Sequence, residues 1–370
     1  MKGNRKIRVA ITHGDTNGIG YEMIFKAFED PAMFELCIPI IYGSAKVAAY
    51  HRKSLGLNTP FSVIHRADEA QDGKLNILPA FDEEVKVELG QPTEESGWAA
   101  QQALERAMTD YHAEMFDVLV TLPVHVSKMQ NEHFKFCNQA DFISYALNRK
   151  GNTLNIMTYH DVRIASMTHC LPLTEVSKHI TTEAIVEKTL LFFNTLKRDF
   201  GVGNPRIALL ALNPGNEDGG FRGNEETEVI KPAVMQLNEK QAYVFGPYAA
   251  DTFFSRRLYH HFDGVLAMYG EQATVPFKLL ADDMGLEVTA GLSLVHTSIY
   301  ASAMPEEGCR DSESCENRLR NAIYTAIDNF RNRIDYDGPF AEPLKKLYHE
   351  RKDDSEKVRF NVSKKQESKD

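Results

Sequence analysis

Three short apolar runs in this chain each end in residues that could do chemistry. Ile164 to Met167 runs into Thr168-His169-Cys170-Leu171-Pro172-Leu173. Ile207 to Ala211 runs into Leu212-Asn213-Pro214-Gly215-Asn216-Glu217-Asp218-Gly219-Gly220, and Gly264 to Ala267 into Met268-Tyr269-Gly270-Glu271-Gln272 and on to Lys278. Strand ends of α/β proteins are where substrates and metals usually sit. A lone histidine such as His169 at a strand end is most often a hydrogen-bonded polar residue, and an imidazole there can also ligate a metal. The carboxylates Glu217, Asp218 and Glu271 read as solvated loop charge. Asp251 stands where it could cap a helix over Thr252 to Arg257.

The elements that must position these groups follow an alternating pattern. Strands are expected at Ile7–Ile11, Ile38–Tyr42, Asp117–Thr121, Thr153–Thr158, Val162–Met167, Arg206–Leu212, Gly264–Ala267 and Ala290–Ser298. Between them lie helical patterns, among them Glu94–Tyr111, Thr181–Phe200, Asn224–Asn238 with a kink at Pro232, and Glu316–Arg331. Such alternation is the signature of an α/β fold with a largely parallel sheet. The first strand enters a loop with glycines at 14, 18 and 20, which permit a tight turn and close backbone approach. Its spacing is not GxGxxG, so it is read equally as a plain strand-to-helix turn.

Lys+Arg 42 against Asp+Glu 52 gives a formal net charge of −10, which argues against binding nucleic acid or an anionic membrane surface. The five cysteines include no CxxC pair, so a thiolate zinc site is not expected and reduced thiols are. Without a signal peptide or a run of ~18 apolar residues, a cytoplasmic protein is expected. The charged segment 343–370 is expected to be a mobile tail.

The three strand ends, together with Gly14, Asp15, Gly18, Ile19, Gly20 and Glu22 and with Gly246, Pro247 and Asp251, resemble the 4-hydroxythreonine-4-phosphate dehydrogenase family. These are NAD-dependent enzymes of pyridoxal phosphate synthesis, and the resemblance runs from about residue 7 to 333. It implies an α/β, two-domain isocitrate/isopropylmalate dehydrogenase-like fold with the active-site cleft between domains and a homodimer. The domains would be 1–125 with 300–335, and 126–299. The implied reaction is hydride transfer from a secondary alcohol to NAD followed by loss of carbon dioxide, helped by a divalent metal.

The resemblance also assigns residues. Asp251 would lie beside substrate and metal, and Lys278 would touch substrate; these two are the candidate catalytic groups. The family's Gly-His-Thr-Glu substrate segment reads Asn138-Gln139-Ala140-Asp141 here, Glu287 stands at an asparagine position and His296 at an arginine position. Gln139, Asp141, Lys278, Glu287 and His296 are thus the candidate substrate contacts. Of three metal-binding histidines only His169 has a counterpart; the others are Gly215 and Gly270, with Glu217, Asp218 and Glu271 as conceivable oxygen ligands. The cofactor site has no motif to locate it. Loss or impairment of the ancestral oxidation is expected, the alternative being an active oxidoreductase with a rearranged metal site.

Overall fold

Val9 and Ile11 on one face and Ala10 on the other are all buried, so β1 (Ile7–Thr12) lies inside a sheet covered on both sides. The structure, a computed structural model, describes residues 5–338 apart from 83, 133, 150, 216–219, 282–283 and 301–311. The expected tail at 343–370 lies outside the described residues. The strands after β1 are β2 (Cys37–Gly43), β3 (Phe61–Val63), β4 (Leu75–Pro79), β5 (Val118–Thr121), β6 (Leu154–Tyr159) and β7 (Val162–Ser166). Then come β8 (Arg206–Leu210), β9 (Tyr243–Tyr248), β10 (Gly264–Ala267), β11 (Leu286–Ala290) and β12 (Val295–Ile299). They form one 12-stranded sheet in the order β3-β4-β2-β1-β5-β12-β11-β6-β7-β10-β8-β9.

The pairings β12–β11, β11–β6 and β6–β7 in the middle are antiparallel and the rest are parallel. Each end of the sheet has its own pair of cores. Around β1 and β2, one face packs Ile24, Phe25, Leu319 and Ile323, and the other packs Leu104, Met108 and Ile143. Around β8 and β10, one face packs Phe192, Leu196 and Leu237, the other Phe253, Ala273 and Phe277. The mixed α/β class with a large sheet is as expected. Among the described residues, no helix is long and apolar enough to cross a membrane.

One expectation needs correcting. The run 290–298 is not one strand: Gly291, at φ +86°, turns the chain between β11 and β12, and its left-handed backbone ends the extended pattern. The segment 224–238 is helical as expected, with its irregularity at the proline: a π-helical turn over Glu226–Ile230 runs directly into the helix Lys231–Glu239, which holds Pro232.

The hairpin that joins the two ends of the sheet is clamped from below. Arg333, on the helix Ser312–Asp337, donates Nε and Nη2 to the two oxygens of Asp199 at 2.7 and 2.8 Å. Its Nη1 donates to the carbonyls of Leu292 and Ser293 in the hairpin turn, at 3.2 and 3.0 Å. Both side chains are almost fully buried, so neither charge can fall back on water. Removing one partner strands the other. Arg333→Met is expected to lower unfolding free energy by about 3–5 kcal/mol, and Arg333→Met with Asp199→Leu to recover much of it. Urea denaturation of the three proteins checks this; an effect under about 1 kcal/mol for the single variant would refute the clamp.

Candidate functional site

The three chemistry-bearing strand ends are tied to one another by side chains. Thr168 Oγ1 donates to the Met268 carbonyl at 2.9 Å, joining the end of β7 to that of β10. Gln272 accepts from Met268 N–H and donates to the Ala211 carbonyl, both at 2.7 Å, joining β10 to the end of β8. Asn213 is held in turn by the buried Glu226, whose carboxylate accepts from Asn213 N at 2.8 Å and Nδ2 at 3.1 Å. These residues satisfy backbone groups that the ends of parallel strands leave open.

On the β7 side lies a cavity of about 380 Å³ whose wall includes Asn138, Gln139, His169, Lys278, Glu287 and Tyr300. Asn138 caps the helix Gln139–Ala146: its Oδ1 accepts from Asp141 N–H at 2.8 Å. That leaves Nδ2 facing His169 Nε2 at 2.9 Å, so the ring nitrogen is the acceptor and its lone pair is engaged. Gln139 donates to the Leu122 carbonyl at 3.0 Å, anchoring the helix start to the end of β5. Lys278 is exposed, with its ammonium 5.4 Å from the centre of the Tyr300 ring. Glu287 on β11 has its carboxyl pushed up to about 7, by burial first and then by the neighbouring Asp141. Burial also raises the carboxyl of Asp141, opposed by His169.

Other candidates lie elsewhere. His296 does not line the cavity. It is fully buried, with its ring nitrogens 2.9 Å from Thr121 Oγ1 and Thr289 Oγ1, and burial drives its imidazole down to about 3. On β12 it shares a sheet face with Ser298, which lines the cavity, and lies two residues earlier along the strand, beneath the cavity rather than in its wall. Asp251 lies with Gly215 on a separate groove; it is the second residue of the helix Ala250–Ser255, whose N-cap is Ala249. Glu271 is exposed at the start of the helix Gly270–Ala281. Glu217 and Asp218 lie outside the described residues. The glycine loop 13–20 is buried throughout. A Cβ at Gly20 would sit 1.9 Å from the His13 carbonyl oxygen, so this loop is a packed turn between β1 and the helix Gly20–Ala27.

The three-histidine metal set does not fit here. Gly215 and Gly270 offer no ligand, Gly215 opens on a different groove from His169, and His169 Nε2 is engaged by Asn138. What the structure does bring together was not legible in the sequence. Cys137, just before the Asn138 cap, and Cys170, just after His169, meet Asp141 with their ligand atoms all within 4.8 Å of one another. Cys170 takes a left-handed backbone, φ +56°, and its thiol is raised to about 12 by burial and by Cys137 and nearby carboxylates. Two segments separated by a helix and two strands supply these thiols, so no spacing motif announces them.

A mixed α/β protein with a large sheet and a small-molecule cavity at its strand ends is the class that this geometry defines. The family described as Pyridoxal phosphate biosynthetic protein PdxA matches residues 35–305. A curated 4-hydroxythreonine-4-phosphate dehydrogenase from Bacteroides thetaiotaomicron is 46% identical over 358 residues, 96% of this chain and 98% of its own. One from Sulfurihydrogenibium sp. is 32% identical over 292 residues, 79% and 89% of the two chains. The crystal structure of a 4-hydroxythreonine-4-phosphate dehydrogenase from Burkholderia phymatum aligns with a TM-score of 0.68 at 25% identity, covering 88% of this chain and 99% of that one. The chain belongs to the PdxA family.

Two outcomes test this geometry. A Cβ at Gly270 meets nothing within 4 Å, whereas one at Gly215 would lie 3.0 Å from Ala249 Cβ. Gly270→His is expected to change stability by less than about 0.5 kcal/mol and Gly215→His to cost about 1 kcal/mol or more, read by thermal melting; equal costs would contradict the placement. His296 stays neutral in the fold to about pH 3, while the unfolded chain protonates it near 6.5. Its contribution is therefore complete above about pH 6.5 and falls as pH drops toward 3, by up to about 1.4 kcal/mol per pH unit. His296→Gln is expected to flatten the fall in urea stability between pH 6 and 4; an unchanged slope would show that His296 is not buried neutral.

Proposed function

We propose that this PdxA-family chain keeps a cavity for a small anionic ligand and has lost the family's metal-dependent oxidation and decarboxylation. The observation that carries this reading is the pair of glycines, Gly215 and Gly270, at two of the three metal positions, with the remaining His169 bonded to Asn138. Without a Lewis acid, the alcohol keeps its ordinary high pKa and the carbanion left by decarboxylation has no counter-charge. Family membership implies NAD and a metal; no step here is routed through either.

The chain's own groups support binding. Lys278 offers a mobile cation at the cavity mouth, and Gln139 and Asn138 present amide edges at its wall. Glu287 and Asp141 are the groups that would hold or release protons there. Asp251, on its separate groove, has no part in the binding reading for a single chain. The fold is read as isocitrate/isopropylmalate dehydrogenase-like, with its cleft between domains 1–125 plus 300–335 and 126–299, working in the cytoplasm. A homodimer, measurable by light scattering, goes with that reading.

The experiment is NAD reduction by folded, chelator-stripped protein with 4-hydroxythreonine 4-phosphate, with and without Zn²⁺, Mg²⁺ or Mn²⁺. No NADH is expected with any metal, while calorimetry detects binding of the phosphorylated acid. Lys278→Ala is expected to weaken that binding about tenfold or more, the worth of one charge-assisted hydrogen bond. Metal-dependent turnover would overturn the loss of activity and favour a rearranged metal site.

A further inference from the structure

We propose that Cys137, Asp141 and Cys170 form a binding site for a thiophilic divalent cation of the Zn²⁺ kind. The three ligand atoms lie within 4.8 Å of one another. Around a tetrahedral Zn²⁺ with bonds of about 2.0–2.3 Å, ligand atoms stand about 3.5–3.8 Å apart. Small side-chain rotations close that difference, because both cysteines lie at the surface.

The donor set selects the ion. Two sulfurs with one carboxylate oxygen favour Zn²⁺ and similar borderline-soft ions over Mg²⁺ or Mn²⁺, which take oxygen cages. On binding, both thiol protons leave to solvent, and the two thiolates and the carboxylate surround the dication. Three protein ligands leave a fourth position for water or a small ligand, the pattern of open rather than structural sites. That position is next to the cavity: Asn138 follows Cys137, His169 precedes Cys170, and both line the cavity wall. The pieces are also held in place independently of any ion. Asp141 is in the first turn of a helix capped by Asn138, and Asn138 bonds His169, so the two ligand-bearing segments are already joined. The site uses none of the three-histidine positions as a ligand and requires no turnover, so its test does not depend on the reading of lost activity.

The test uses the full chain, reduced, chelator-treated and exchanged into buffer, titrated with Co²⁺ and followed for the near-ultraviolet thiolate-to-cobalt charge-transfer band. Zn²⁺ uptake is measured by equilibrium dialysis. One equivalent per chain is expected, with the cobalt band displaced by Zn²⁺ and not by Mg²⁺. Cys137→Ala and Cys170→Ala should each weaken Zn²⁺ at least about 100-fold, since losing even an outer-shell partner costs 10–100-fold. Asp141→Asn should weaken it less while keeping the cobalt–thiolate band. Absence of the band in folded wild-type protein, or Zn²⁺ uptake indifferent to both cysteine variants, would overturn the site. So would recovery of Cys137 and Cys170 as a disulfide under the same reducing conditions.

Discussion

The buried pair of Asp199 and Arg333 is the constraint on which the arrangement of the cavity depends. A guanidinium and a carboxylate out of water are tolerable only when each finds the other in good geometry and the remaining donors are used. Here the fork of Arg333 spends two donors on Asp199 and a third on the carbonyls of Leu292 and Ser293. Asp199 ends the helix Thr182–Arg198, which packs on the β8–β10 side, while Arg333 comes from the helix that packs on the β1–β2 side. The turn between β11 and β12 is thus fixed to both. That hairpin carries Glu287 on one strand and Ser298 and Ile299 on the other, with Tyr300 just beyond, so one wall of the cavity is set by an ion pair that does not touch it.

A second set of contacts explains why so many family-like residues persist beside so few reactive ones. Gln272, Thr168 and Glu226 each spend hydrogen bonds on backbone groups at the ends of β7, β8 and β10. Their loss would leave buried donors and acceptors without partners, each costing about 1–3 kcal/mol. A glycine at 215 or 270 costs the fold nothing comparable, because a histidine there would serve a ligand rather than the sheet. Stability and chemistry therefore place separate demands on neighbouring positions.

Much of the fold was legible in the sequence because its signals are local. The apolar runs of β1, β2 and β10 and the helical pattern from Glu94 announce themselves within a few residues. The run 290–298 reads as one strand because Gly291 is a lone glycine within an apolar run, and only its left-handed backbone reveals the turn. At Pro232 the expected irregularity takes the form of a π-helical turn just before the proline, and the helix continues past it. Of the candidate site, His169, Gln139, Lys278 and Glu287 share one cavity wall, and Asp141 lies just behind it. His296 belongs to a different environment: it is on the face of β12 that carries Ser298 but two residues earlier, fully buried between two threonines, where neutrality is favoured over charge.

The cysteines show the limit from the other side. Metal motifs readable in sequence depend on ligands clustered in one turn or hairpin, where covalent connection fixes their distance. Cys137 and Cys170 are brought together instead by the start of one helix meeting the end of β7, across an intervening helix and two strands. The Asn138–His169 hydrogen bond ties the same two segments one residue away from each thiol. A contact that engages the imidazole nitrogen thus also brings the sulfurs together. One hydrogen bond thus engages the remaining histidine and ties together the two segments that carry the sulfurs.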